Sequence, residues 1–140
     1  MVEGYELRDE LPTVSDYLRL RADSGLTPKR PDQAEAGLPG SWWACQVVHQ
    51  ASGTVVGMGR ILGDGGWYFH LVDIAVDPAH QSRGLGGAIM TALLARIHET
   101  APPGAWITLL ADPPGRRLYE RHGFLPTAPD SIGMARPISD

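Results

Sequence analysis

Cysteine is almost absent: Cys45 is the only one in 140 residues. An intrachain disulfide and a thiolate metal cluster are therefore excluded, and a reducing, cytoplasmic setting is expected. Positive charge is also scarce. Twelve Lys and Arg face sixteen Asp and Glu, a formal net charge of −4, so the basic footprint of a nucleic-acid binder is missing in bulk. Apolar runs are short, and none approaches the roughly 20 residues of a membrane helix. Met1 to Glu6 offers neither a basic start nor an apolar stretch, so no secretory signal is expected. There is no internal repeat.

What is abundant is punctuation. Seventeen glycines and twelve prolines are spread along the chain, which predicts many short elements rather than a low-complexity linker. At about 100–200 residues per domain, residues 1–140 are expected to form a single domain. Tyr5–Leu7 reads as a short strand. Thr13 reads as the N-cap of a helix that runs to Gly25, with an acidic Asp16 in its first turn. A short helix is expected around Asp32–Ala36. Trp42–His49 and Thr54–Ile61 read as an antiparallel hairpin across Gln50–Gly53, and Trp67–Val76 as a long strand. Leu85, Ala88, Ile89, Ala92, Leu93 and Ile97 recur at helical spacing. Trp106–Leu110 reads as a strand, and Pro113–Arg121 as a helix with Gly123 beyond its end. Phe124–Leu125 and Ile132–Ile138 read as final strands. Hairpins followed by strand–helix–strand–helix predict an α+β, mixed α/β fold.

The informative segment is Val72–Ala88. A strand ends, the chain turns at Pro78, and Gln81-Ser82-Arg83-Gly84-Leu85-Gly86-Gly87-Ala88 opens the amphipathic helix. Free N–H groups and the dipole at a helix start attract anions. Gly84, Gly86 and Gly87 let a bulky anion approach the backbone, and Arg83 adds a cation. The generic phosphate motifs do not fit. A dinucleotide fingerprint needs a third glycine where Ile89 stands, and no Gly-Lys-Ser/Thr follows for a P-loop. From spacing alone, a glycine-rich helix start without a ligand explains the segment equally well.

Gln81-x-x-Gly84-x-Gly86, placed after a strand ending in Ile74-Ala75-Val76, resembles the acetyl-coenzyme-A motif of the GCN5-related N-acetyltransferases. Leu118-Tyr119-Glu120-Arg121-His122-Gly123-Phe124 resembles the same family's C-terminal block. Two motifs in matching order and separation are more specific than either alone, and the resemblance covers Gly53 to Phe124. Ser82 stands where the family pattern has Gly, and Asp112 where it has Asn. The resemblance implies a central, mostly antiparallel mixed sheet flanked by helices. It implies acetyl-coenzyme A as acyl donor and direct attack by an amine. Backbone groups of Ile74, Ala75 and Val76 would hold the pantetheine arm. Gln81 would shape the loop. N–H groups of Arg83, Gly84, Leu85, Gly86, Gly87 and Ala88 would cradle the pyrophosphate. The thioester would lie in a splay between the Trp67–Val76 and Trp106–Leu110 strands.

Direct attack needs a neutral amine and a proton for the leaving thiolate. Tyr119 matches the family's general acid; its other reading is an aromatic packed beside Leu118. His70 occupies a place similar to the family's base residues, and an imidazole titrates in the right range. Two-residue alternation puts it on the face of Val72, Ile74 and Val76, with Asp73 on the other face. Its other reading is a strand histidine without a role. Cys45 reads as core rather than nucleophile, and Trp42, Trp43, Trp67 and Tyr68 as pocket lining or core. His70, Asp73, Asp77 and His80 have no metal-ligand spacing, so no metal is expected.

The expected partner is a small-molecule or peptide amine, with no nucleic acid and no membrane, and a homodimer as an allowed assembly. A non-catalytic acyl-coenzyme-A-binding regulatory module on the same fold is the alternative. A tRNA-directed acetyltransferase is disfavoured by the acidic balance.

Overall fold

The computed structural model describes residues 1–139. The chain forms two compact units, Met1–Leu109 and Leu110–Asp140.

In the first unit a five-stranded sheet runs in chain order: β1 (Tyr5–Arg8), β2 (Trp43–His49), β3 (Thr54–Gly63), β4 (Tyr68–Val76) and β5 (Trp106–Thr108). The first four strands are antiparallel neighbours, and β5 joins β4 in parallel. That is the mixed, mostly antiparallel sheet with flanking helices expected from the sequence. The β2–β3 hairpin closes across Gln50–Gly53, where Gly53 adopts φ +69°.

Three helices flank this sheet. Helix α1 (Val14–Asp23) is capped as its sequence predicts: the Asp16 N–H donates to Thr13 Oγ1 at 3.1 Å. Gly25, at φ +90°, follows its end. Helix α2 (Pro31–Gly37) continues into a 3-10 turn, Leu38–Gly40. Helix α3 (Leu85–Thr100) buries Leu85, Ile89, Met90, Leu93 and Ile97. Its approach to the sheet is very close at β3. A Cβ on Gly59 would stand 2.7 Å from Ile89 Cγ2 and 3.0 Å from a Leu93 methyl carbon. Only glycine lets α3 settle at that distance.

The second unit contains a 3-10 turn, Pro113–Gly115, leading into α4 (Arg116–Arg121). Two sequence expectations fail here. Neither Phe124–Leu125 nor Ile132–Ile138 forms a strand. The apolar residues are present, but Leu125 is 81% exposed and Ile138 98%. Pro126 directly follows the first segment and Pro137 lies inside the second, and each removes an N–H that a ladder would need.

Candidate active site

The loop after β4 is built by local bonds. Asp77 accepts from the Ala79 N–H at 2.9 Å and starts a 3-10 turn, Pro78–His80. Gln81 Nε2 then donates to the Val76 carbonyl at 3.0 Å, tying the loop back to the strand end. Ser82 and Gly84 both take left-handed φ, +62° and +86°. This accounts for the glycine that the family pattern places at 82: the position demands a conformation that side chains resist. Helix α3 follows with its N-terminal N–H groups free of intrahelical carbonyls. Ala88 is the exception among the expected donors, since its N–H already donates to Gly84 O at 3.1 Å. The free set is therefore Arg83 to Gly87. Arg83 itself is exposed.

Strands β4 and β5 pair only at Tyr68↔Trp106, Phe69↔Ile107 and His70↔Thr108. Beyond His70, β4 runs on to Val76 while β5 ends, so a fork opens with His70 at its apex. The outer edge of Val72–Val76 has no strand partner among the described residues.

His70 is half-buried, and burial lowers its pKa below the ordinary imidazole value. Its Nδ1 lies 2.7 Å from Thr108 Oγ1, and Thr108 Oγ1 lies 3.3 Å from the Phe69 carbonyl. The arrangement that satisfies both contacts has Nδ1–H donating to Thr108 and the Thr108 hydroxyl donating to Phe69. Nε2 then keeps a free lone pair.

The alternation expected along β4 breaks at Asp73. Met58 pairs with Ala75 and Arg60 with Val72, so two steps of β3 span three of β4. This is a β-bulge, with Asp73 at φ +57°. Directly paired residues share a face. His70 and Val72 therefore lie on the face of Arg60, toward α1 and α2. The extra residue keeps Asp73 on that face and turns Val76 to the opposite one, where its partner Gly57 approaches Ile89. The expected grouping of His70 with Ile74 and Val76, and of Asp73 on the other side, is thus reversed.

The bulge aims Asp73 into a charged cluster that sequence reading missed. Its side chain is 6% exposed and bonds Arg21 Nη1, Arg60 Nε at 2.7 Å and the Tyr17 hydroxyl at 2.9 Å. Burial beside the Asp73 charge raises the Tyr17 pKa. Arg60 also donates to Ser41 Oγ at 2.7 Å, and Arg21 to the Thr27 carbonyl from Nε and Nη2. The signal was Arg60 itself, a charge inside the apolar run Val55–Leu62.

In the second unit, Tyr119 is half-buried on α4. Its ring covers Gly115, where a Cβ would stand 2.7 Å from Cε2 and 2.8 Å from Cζ. Burial, with the Asp112 charge, raises the phenol pKa. The turn after α4 is a Schellman closure: Phe124 N–H donates to Tyr119 O and Gly123 N–H to Glu120 O, both at 3.1 Å. The Gly123-Phe124 pair thus terminates the helix that carries Tyr119.

Other candidates separate from chemistry. Cys45 is fully buried and its thiol is pushed up to about 12 by burial. Trp42 packs edge-on against Phe69 at 4.8 Å, while Trp67 and Tyr68 are exposed and pack on each other. Among the described residues no His, Cys, Asp and Glu group is arranged to hold a metal ion, and no helix is long and apolar enough to cross a membrane.

Comparison with known proteins agrees with this architecture. The family model of the GNAT acetyltransferase domain matches residues 40–126. A protein of unknown function from meticillin-resistant Staphylococcus aureus, described as a probable acetyltransferase, is 36% identical. The match covers 96% of this chain and 99% of that one, with a TM-score of 0.90. A GNAT-family acetyltransferase from Streptococcus pneumoniae shares the fold at 22% identity, 97% and 99% coverage and a TM-score of 0.77. Glucosamine-6-phosphate N-acetyltransferase from Arabidopsis thaliana does so at 17% identity, 98% and 100% coverage and 0.75. No curated protein matches the chain. With the matched domain spanning more than half of its length, the chain belongs to the GNAT acetyltransferase family and is an acyltransferase enzyme.

Proposed function

We propose that this enzyme transfers the acetyl group of acetyl-coenzyme A to a primary amine by direct attack, within one acetyltransferase domain. The observation that supports this reading is the fork between β4 and β5: His70 sits at its apex, the unpaired edge of β4 runs from there to Val76, and the loop into the N-terminus of α3 follows. Bound acetyl-coenzyme A would supply an activated thioester carbon.

The chain's own residues fit that group. N–H groups of Arg83, Gly84, Leu85, Gly86 and Gly87, with the Arg83 side chain alongside, hold the pyrophosphate. Backbone groups of Ile74, Ala75 and Val76 on the open edge of β4 hold the pantetheine arm as an added strand would be held. Val76 does so while its carbonyl keeps the Gln81 bond. His70 Nε2 takes the proton that the amine loses, directly or through water, and burial keeps it unprotonated for that step near neutral pH. Tyr119 gives a proton or a hydrogen bond to the leaving sulfur, and its raised pKa keeps the hydroxyl protonated. Its support is the Leu118–Phe124 motif. The amine thus loses one proton, the thiol gains one, and the C–S bond is exchanged for C–N. The reducing interior of a cell, the cytoplasm, suits its single cysteine.

An amine panel with acetyl-coenzyme A, read by thiol release, tests this. Turnover of at least one primary amine is expected. Tyr119→Phe is expected to lower it by roughly 10- to 1000-fold without weakening coenzyme binding. Coenzyme binding without acetylation of any amine would transfer the assignment to a regulatory, non-catalytic module.

A further inference from the structure

We infer that the acceptor amine carries an anionic group, a carboxylate or a phosphate, bound in the cleft between α1, α2 and the β4 bulge. The inference rests on the acetyl-transfer reading above and names its substrate class. The cleft has a volume of about 290 Å³ and is lined by Tyr17, Arg21, Lys29, Gln33, Arg60 and Asp73 with a few apolar neighbours. That volume suits a small molecule.

The charge in this cleft does not balance. Three cations, Arg21, Arg60 and Lys29, face a single carboxylate, Asp73. Two of them are deeply set, with side chains 11% and 10% exposed. Asp73 divides its two oxygens between them. A buried cation is costly unless paired, and one carboxylate does not neutralise two guanidiniums. Donor capacity is left over as well. Arg60 uses Nε and Nη1 on Asp73, Ser41 and Gly37, while its Nη2 bonds no group among the described residues. Lys29 likewise forms no hydrogen bond or ion pair there. A guanidinium nitrogen and an ammonium at one cleft match the oxygens of a carboxylate or phosphate.

The spacing places this anion site in reach of the chemistry. His70 lies on the same face of β4 as Val72 and Asp73. At roughly 3.3 Å per residue, two to three residues put the anion about 7–10 Å from the imidazole. A primary amine held at His70 with its anionic end at Arg60 and Lys29 therefore needs a linear chain of about five or six atoms between the two groups, with zigzag bonds of about 1.5 Å, to cover that span.

The test compares matched amines: hexylamine with 6-aminohexanoate, and 5-aminopentanol with 5-aminopentyl phosphate. The anionic member of at least one pair is expected to show kcat/KM at least tenfold higher, and the pair that does so tells carboxylate from phosphate. Lys29→Gln, at an exposed loop position, is expected to shrink that ratio to threefold or less by raising KM for the anionic amine. A binding readout stands apart from turnover. Millimolar inorganic phosphate is expected to raise the melting temperature of the wild type, and to raise that of Lys29→Gln less. Equal kcat/KM within both pairs, or a preference that Lys29→Gln leaves intact, overturns the inference while acetyl transfer stands. If no amine is acetylated, the transfer reading fails, and the phosphate shift alone decides the cleft: a shift lost in Lys29→Gln upholds an anion site, and no shift overturns it.

Discussion

The two faces of the central sheet are built on opposite principles. Toward α3, contact is dry and close: Gly57 and Gly59 give up side chains so that Ile89 and Leu93 can reach the strands. Toward α1 and α2, an apolar patch of Leu20, Met58 and Ala75 borders a carboxylate, two guanidiniums and a phenol at the β4 bulge. The first face gains stability from packing, at about 25 cal/mol for each Å² of apolar surface removed from water. The second gains position. A buried ion pair contributes little net stability, because desolvation offsets attraction, yet its bonds hold the side chains of Asp73, Arg21 and Arg60 in fixed positions. The sheet thus has a face held by close apolar contact and a face that carries buried charge.

The sharpest way to break this contrast is to remove Asp73. Asp73→Ala leaves Arg21 and Arg60 buried without their shared partner, and a loss of about 3–5 kcal/mol in unfolding free energy is expected. Urea unfolding measures it. A loss under about 1 kcal/mol would mean that water already screens the cluster, and the charged face would be structurally idle.

A smaller effect is expected on the dry face. Gly59→Val drives a branched side chain into Ile89 and Leu93, already within 3.0 Å of a bare Cβ. Overpacking of this kind costs about 1–3 kcal/mol. Because nothing at Gly59 titrates, the loss should be the same at pH 6 and pH 8. A pH-dependent loss would show that the two faces are coupled through the strand.

The smallest effect in energy is the most informative about chemistry. His70 is held below its ordinary value of about 6.5, so its neutral, proton-accepting form is in place above that pH. The activity limb in kcat/KM should therefore fall at or below about pH 6.5, and His70→Gln should flatten it. The limb has to be compared across amines of different pKa, since one that follows the amine belongs to the substrate. The same shift acts on stability. The unfolded imidazole binds its proton first, so wild-type stability holds above about pH 6.5 and declines as pH falls through the lower folded value. His70→Gln should remove that decline. An unchanged limb in His70→Gln would reduce His70 to a strand residue held by Thr108.

Much of this was legible in the residues. Thr13 and Asp16 announce the start of α1, the spacing of Leu85, Ile89, Leu93 and Ile97 announces α3, and Gly53 closes the hairpin. Each is a local signal, set within a turn or two of chain. The helix N-terminus after Gln81 and the Gly123-Phe124 closure were visible for the same reason. The errors also have local causes. Apolar alternation in Ile132–Ile138 looks like a strand, but a strand exists only with a ladder partner, and alternation cannot report one. Ala88 looks like a free donor until the helix is seen to begin at Leu85, which places its N–H one turn from the Gly84 carbonyl.

What the sequence determined by itself was the set of elements, the glycine-rich start of α3 and the family resemblance, because those depend on neighbours in the chain. What only the tertiary structure decided was which side chains share a face. One extra residue at Asp73 reverses the facing of everything after it on β4, since side chains alternate with a period of two. That bulge turns Asp73 toward Tyr17, 56 residues earlier in the chain, and toward Arg21 and Arg60. Pairing register between strands is a long-range agreement, and no stretch of sequence read alone contains it.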